Sequence, residues 1–221
     1  MKHITFYFDF ISPYAYLAFE RLPEALMGQS YSVTYKPILF AALLKHHGQL
    51  GPAEISPKRE WTYRQVQWLA HSQGVQLQMP AAHPFNPLGL LRLAVACGSS
   101  DSVPGTALAA PNRFAVETLF RHAWCGGGDA ADAERLAGVT AKLRPALDPG
   151  SDGVKALLKA NTEEAIALGV FGVPAFAVDD ERFWGLDALP MLRGYLGGDA
   201  WFDGPAWRSA GQLPIGAVRQ K

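Results

Sequence analysis

The sequence predicts an α/β fold: a β-α-β unit at the start, a long all-helical block, then an α-β-β-α unit at the end. Three observations carry this. The stretch from His3 to Phe10 is almost wholly apolar, as a strand buried on both faces is. Apolar residues recur at helical spacing through residues 39–143, with no strand pattern among them. Strand character returns only at Ala175–Val178 and Arg182–Trp184.

The elements follow in order. His3 to Phe10 is the first strand, and its apolar run predicts parallel neighbours. Ser12-Pro13 opens a helix running to Met27. Serine is a preferred N-cap because its hydroxyl takes an orphan N–H of the first turn, and proline at the first helical position gives up no hydrogen bond. Tyr14, Leu17, Ala18 and Leu22 share one face, and Pro23 either kinks this helix or ends it early. In Tyr31–Lys36, Tyr31, Val33 and Tyr35 alternate with polar residues, which marks a second strand. The crossover between the two strands should be right-handed. Leu39–His46 is a short helix, Gly48–Pro57 a loop, Lys58–Ser72 a helix and Met79–Pro87 a proline-rich connection. Leu88–Cys97 is apolar nearly all round and so deeply packed. Pro111–Trp124 and Asp129–Leu143 complete the block, the second with acidic residues near its start, where the helix dipole favours them. Ser151–Leu168 is a helix capped by Ser151 or Asp152, Gly169–Pro174 a turn, and Asp179-Asp180 the tight turn of a hairpin. A last helix runs from Asp187 towards Leu196, and no role is legible in Gly198–Lys221.

The two outer pieces are complementary halves of a thioredoxin-like fold. The predicted organisation is a discontinuous thioredoxin-like domain (residues 1–37 and 150–200), a helical insertion (38–149) and a tail (201–221). The insertion is too long for a loop without its own core. Twenty Lys plus Arg balance twenty Asp plus Glu, and the basic residues form no run, which argues against nucleic acid or an acidic membrane surface as partner. No apolar run approaches the roughly 20 residues of a membrane span. The chain begins at once with strand residues, so no signal peptide is expected and a soluble cytoplasmic protein is the default. Cys97 and Cys125 are far apart and give no disulfide framework, zinc spacing or Cys-x-x-Cys pair, so no metal is expected.

Two places carry candidate chemistry. Ser12 should sit at the positive end of a helix dipole on the edge of a sheet, where an anion is stabilised; on the residues alone a plain cap is favoured. Gly172-Val173-Pro174 stands between a helix and a strand. Only about one X-Pro bond in twenty is cis. In thioredoxin-like folds, however, the proline at this place is cis, faces the start of the first helix and leaves the preceding backbone free for a peptide-like ligand. A cis Val173–Pro174 bond is therefore expected.

Five segments in this order resemble the 2-hydroxychromene-2-carboxylate isomerase family, which is related to kappa-class glutathione transferases and DsbA-like proteins. They are Phe8-Asp9-Phe10-Ile11-Ser12-Pro13-Tyr14, Pro57-Lys58-Arg59-Glu60-Trp61-Thr62-Tyr63-Arg64, Pro84-Phe85-Asn86, Asn161-Thr162 and Gly169-Val170-Phe171-Gly172-Val173-Pro174. The resemblance implies glutathione as cofactor, an aromatic small-molecule substrate and a homodimer. It implies that Ser12 stands where relatives carry a redox cysteine and holds the glutathione thiol. That thiol, with a pKa near 8.5, is only a few per cent ionised at neutral pH, and a hydroxyl donor at a helix N-terminus favours its anion. Val173 and Pro174 match the clamp on the cysteinyl part, and Leu186-Asp187 match the site for the γ-glutamyl end, with Leu186 limited to backbone contacts. Lys58 matches a basic residue facing the site; Asn86, Asn161 and Trp124 are further substrate candidates. Each has a plainer reading: helix cap for Asp187, exposed lysine for Lys58, turn residue for Asn86, core packing for Trp124. Asn161 inside a helix is unfavourable without a reason. Gln65 stands where the family often has Asp. The functions in competition are a glutathione-dependent isomerase, a kappa-like transferase consuming glutathione, and a non-catalytic glutathione- or peptide-binding module. Disulfide exchange is disfavoured, since Ser12-Pro13-Tyr14-Ala15 holds no sulfur.

Overall fold

The structure, a computed structural model, describes residues 1–98 and 110–217. Residues 99–109 of the expected insertion and 218–221 of the expected tail lie outside the described residues. Strand β1 (Lys2–Phe8) is followed by α1 (Pro13–Ala25), β2 (Tyr31–Pro37) and α2 (Phe40–His47). The block α3 (Ser56–Ser72), α4 (Leu88–Ala96), α5 (Arg113–Trp124) and α6 (Ala133–Leu143) comes next. Helix α7 (Asp152–Ala167), β3 (Ala175–Val178), β4 (Glu181–Trp184), α8 (Leu189–Leu196) and α9 (Pro205–Ala210) complete the order.

The strands form one sheet in the order β2-β1-β3-β4. β1 runs parallel to β2, from Lys2 opposite Tyr31 to Phe8 opposite Pro37. It runs antiparallel to β3, with Phe6 opposite Phe176. The expectation of parallel neighbours on both sides is thus corrected: an apolar run marks a central strand but carries no information on the direction of its partners. β1 also stops at Phe8 rather than Phe10. The chain turns there because Asp9 and Phe10 make bonds outside the sheet. α1 continues two residues past Pro23, so the proline does not end it early. Asp179 adopts a left-handed φ of 51° in the β3–β4 turn, a conformation aspartate tolerates because its side chain can bond locally.

Alternation along β1 divides the interior. Ile4, Phe6 and Phe8 face a large cluster with Phe10, Phe19, Phe120, Trp124 and Phe176. Tyr7 faces a smaller one with Ile38, Leu43, Ala165, Val170, Val173 and Ala175. The large cluster includes Leu90, Leu91 and Val95 of α4 and Val116 and Leu119 of α5, so the insertion helices share their core with the sheet. Phe120 is the joint: its ring lies 5.3 Å from Phe8, 4.8 Å from Phe10 and 5.3 Å from Phe19. The unread tail also has a place. Phe202 and Trp207 pack with Phe183 and Tyr195, and the Trp207 indole N–H donates to Glu181 at 3.1 Å, which covers β4 at the sheet edge.

Trp124 is fully buried, and its indole N–H donates to the Phe10 carbonyl at 2.9 Å. The expectation of Trp124 as a substrate-pocket wall is corrected on this ground: the ring packs against Phe85 and His83 behind the turn, with no open face. Trp124→Phe keeps most of the packing and strands a buried carbonyl, which costs about 1–3 kcal/mol. The denaturation midpoint should fall by that free energy divided by the slope, with the slope itself unchanged. An unchanged midpoint would show that the Phe10 carbonyl finds another donor.

Candidate functional site

The site is built on the turn from Asp9 to Ser12. Ser12 is the N-cap of α1, in extended conformation, and its Oγ accepts from the Ala15 N–H at 3.2 Å. Pro13 occupies the first helical position. The cap uses a lone pair, so the single hydroxyl proton stays free for another acceptor. It points to the Val173 carbonyl at 3.5 Å, the outer limit of a hydrogen bond. The Val173–Pro174 bond is cis. Among the described residues no group accepts the Val173 N–H. A hydroxyl with a weakly held proton thus stands at the positive end of α1, against the carbonyl of a residue whose own N–H has no acceptor among the described residues.

The segment after Pro174 closes the other flank. The Gly185 N–H donates to the Pro174 carbonyl at 2.9 Å. Gly185 sits at φ 101°, and any Cβ there would stand 2.3 Å from the Asp187 carboxylate, so that carboxylate folds back over a glycine. Asp187 is exposed and stands close enough to Tyr14 for its charge to push the phenol upward, although burial is the main cause of that rise. The Leu186–Ala188 segment that carries Asp187 packs against α1. Leu186 is half-buried against the core. Trp184 lies over Gly172, where a Cβ would meet its Nε1 at 2.5 Å, and its ring sits 4.8 Å from Phe171.

Lys58 is exposed in the first turn of α3. It shares a helical stripe with Thr62 and Gln65. The Tyr14 hydroxyl donates to Gln65 Oε1 at 2.7 Å, so this face of α3 meets the start of α1. Gln65 in place of a carboxylate leaves that contact neutral. Asn86 is exposed, and its Oδ1 caps the Leu88 N–H at 3.1 Å. Asn161 is buried and donates to the Pro37 carbonyl at 3.3 Å. Its neighbour Thr162 accepts from the Leu39 N–H at 3.0 Å. These two residues hold the link between β2 and α2. Ser12, Val173 and Pro174 are thus brought together, Asp187 lies on a segment packed against α1, and Lys58 stands on the facing helix; the Asn86 amide oxygen and the Asn161 amide N–H₂ make structural bonds. The large open cleft of about 490 Å³ between α5 and α6 contains none of them.

Two residues beyond the candidate set shape the turn. The Asp9 carboxylate accepts from the Ile11 N–H at 3.1 Å and the Phe40 N–H at 2.9 Å. It is fully buried, and desolvation, opposed only by those bonds, pushes it up to about 7. The His83 Nε2–H donates to the Ile11 carbonyl at 2.8 Å, which leaves Nδ1 an acceptor; the Tyr63 hydroxyl stands 2.8 Å from Nδ1 and 2.9 Å from the His83 carbonyl and shares its one proton between them. Burial holds His83 below its ordinary 6.5, so it is neutral at physiological pH. Asp9 had a signal in the sequence, a lone acid inside the apolar run Phe8-Asp9-Phe10; His83 had none. Both cysteines are free thiols, and burial pushes both up, which keeps them protonated. Replacing Cys97 and Cys125 by Ala should leave turnover largely intact. Loss of activity in the folded double variant would move the chemistry onto a protein sulfur.

The Asp9 shift has a sign. The folded chain binds its proton near 7 and the unfolded chain near the ordinary 3.8, so between those values the folded state holds more protons. Stability from this group is therefore present in full below the unfolded value and is lost as pH rises through about 7. The slope is at most about 1.4 kcal/mol per pH unit. Denaturant titrations between pH 4 and 8 should show this slope in the wild type and its loss in Asp9→Asn; equal slopes would mean Asp9 is ionised throughout.

Comparison with known proteins follows from this geometry. Residues 3–197 match the family model of the DSBA-like thioredoxin domain. The chain is 30% identical over 203 residues to 2-hydroxychromene-2-carboxylate isomerase of Sphingobium xenophagum, covering 88% of this chain and 98% of that protein. It is 26% identical over 215 residues to glutathione S-transferase kappa 2 of Caenorhabditis elegans, covering 88% and 92%. A solved structure of a 2-hydroxychromene-2-carboxylate isomerase superposes with a TM-score of 0.75 at 26% identity, covering 89% of this chain and 95% of that one. With a four-stranded sheet split by helices and a cis-proline opposite the start of α1, the chain belongs to the DSBA-like thioredoxin domain family.

Proposed function

We propose that this protein is a glutathione-dependent isomerase of 2-hydroxychromene-2-carboxylate or a related aromatic unsaturated keto acid. One observation carries the reading: the Ser12 hydroxyl, at the N-terminus of α1, has only a long 3.5 Å contact to the carbonyl of Val173, the residue before the cis-proline, whose own N–H has no acceptor among the described residues. The likeness to named isomerases over most of both chains gives it a substrate class.

The residues fit a thiol tripeptide. The Val173 backbone offers a peptide-like N–H and C=O, and Asp187 offers an exposed carboxylate to an ammonium group. Glutathione, when bound, supplies a thiol able to add reversibly to a conjugated acid. Ser12 donates its proton to negative charge on that sulfur, and the α1 dipole favours the same charge. Neither needs a second ionisable group, which suits a site where His83 is held neutral. Leu186 contacts the ligand only through its backbone. Lys58 pairs with a substrate carboxylate from the facing helix, and the free amide N–H₂ of Asn86 stands at the substrate end.

A kappa-like transferase is the second reading, supported by the likeness to the nematode protein. The two differ in stoichiometry: free glutathione stays constant under the isomerase and is consumed by the transferase. A module that only binds would turn over nothing. Glutathione is held reduced in the cytoplasm, and two burial-raised thiols suit that compartment. Among the described residues no helix is long and apolar enough to cross a membrane. A homodimer belongs to the same reading, with Trp61 and Trp68 exposed on α3 for a second copy to cover.

Turnover of the chromene carboxylate with glutathione present and absent, with products read by mass and free thiol counted, tests the reaction. Ser12→Ala tests the site. A hydrogen bond to an anion here is worth roughly 2–4 kcal/mol, so turnover should fall tens to hundreds of fold while glutathione binding changes little. Residual activity should rise with pH as bulk deprotonation replaces the donor. Stability should fall by about 1 kcal/mol, the cost of a cap. Equal rates for wild type and Ser12→Ala at neutral pH would reduce Ser12 to a cap.

A further inference from the structure

We propose that Asp9 is a positioning residue for Ser12: its two carboxylate oxygens join the turn before α1 to the link after β2, and this fixes where the Ser12 hydroxyl stands. The inference rests on the reading of Ser12 as the group that acts on the glutathione sulfur, and deepens it.

The geometry is a two-ended clamp. Oδ1 takes the Ile11 N–H at 3.1 Å, inside the turn, and Oδ2 takes the Phe40 N–H at 2.9 Å, at the start of α2. The backbone carbonyl of Asp9 takes the Ser12 N–H at 3.1 Å. One residue thus orders both flanking peptide units of Ile11 and ties them to a segment some thirty positions away in sequence. An ionised carboxylate accepts strongly at both ends, whereas the isosteric Asn presents an N–H₂ to one of the two N–H donors.

Stability does not account for this carboxylate. It is fully buried, and among the described residues no cation compensates it: what opposes its desolvation there is the two N–H bonds. Near pH 8 its charge weakens the fold, so its contribution is placement of the turn. The surroundings hold few competing titrations. His83 is the other ionisable group on the turn, through the Ile11 carbonyl. The link residues Pro37, Ile38, Leu39 and Phe40 carry no charge, and α7 presents Asn161 and Thr162 to them. α5 presents Trp124.

The test is a double-mutant cycle on the full-length enzyme at saturating glutathione, with wild type, Ser12→Ala, Asp9→Asn and the double variant. Asp9→Asn should lower kcat on the order of tenfold or more, as a misplaced group does. The KM for glutathione should move far less. In the Ser12→Ala background Asp9→Asn should cost little further turnover, because there is no hydroxyl left to place. Additive losses, or wild-type kcat in Asp9→Asn, overturn the positioning role while leaving Ser12 intact. Wild-type turnover in Ser12→Ala overturns the Ser12 reading instead. A second measurement needs no variant: amide ¹⁵N shifts of the wild type followed from pH 5 to 9. The Ile11 and Phe40 amides should titrate together with one midpoint near 7. Phe40 lies on a segment His83 does not touch, so an Ile11 response without Phe40 would assign the titration to His83 and overturn the clamp.

Discussion

The structure depends on the satisfaction of one short turn. Between Phe8 and Ser12 the chain leaves the sheet inside the protein, where an unpaired backbone group is costly. Partners come from all over the chain. Ile38 reaches the Phe8 carbonyl, Trp124 the Phe10 carbonyl, His83 the Ile11 carbonyl, and Asp9 the Ile11 and Ser12 N–H groups. The donors from outside the turn come from the link after β2, from α5 and from the connection between α3 and α4. The helical insertion is therefore required at the site even though it supplies few of the groups that would meet a ligand there. α3 acts through Tyr63, which holds His83 of the following connection, and α5 through Trp124.

That frame lets the Ser12 hydroxyl meet two backbone partners at once. A cap needs a lone pair and a donor needs a proton, and a hydroxyl has both. What must be controlled is the direction of the proton, and the turn controls it by holding Oγ against the Ala15 N–H on one side and near the Val173 carbonyl on the other. The contact to Val173 is long, so replacing it with a better acceptor loses little. Neutral His83 and protonated thiols keep other charges from competing for that acceptor. Asp9 is the exception, a buried charge whose cost is offset only by two backbone bonds.

The two cores explain the division of labour across the sheet. The large aromatic cluster fuses sheet and insertion through Phe120 and makes a rigid back wall. The small cluster on the other face, with Ile38, Val170 and Val173, backs the cis-proline segment. Ser12 and Val173 meet where these two supports come together at the end of β1.

The sequence by itself determined much of this protein. Apolar runs, alternation and cap residues are local signals, so the order of elements, the Ser12-Pro13 helix start and the β3–β4 hairpin were legible. So was the cis bond at Val173–Pro174, through resemblance to proteins that carry it. Strand direction was not legible, because burial on both faces looks the same for parallel and antiparallel partners. The roles of Trp124, His83 and Asn161 were decided only by the tertiary structure. Each is a polar group whose function is set by which distant carbonyl it meets, at separations of 72 to 124 residues. Asp9 lies between the two cases. It is a lone acid at the end of an apolar run, but the two N–H groups that it binds come together only when the link after β2 folds back against the turn.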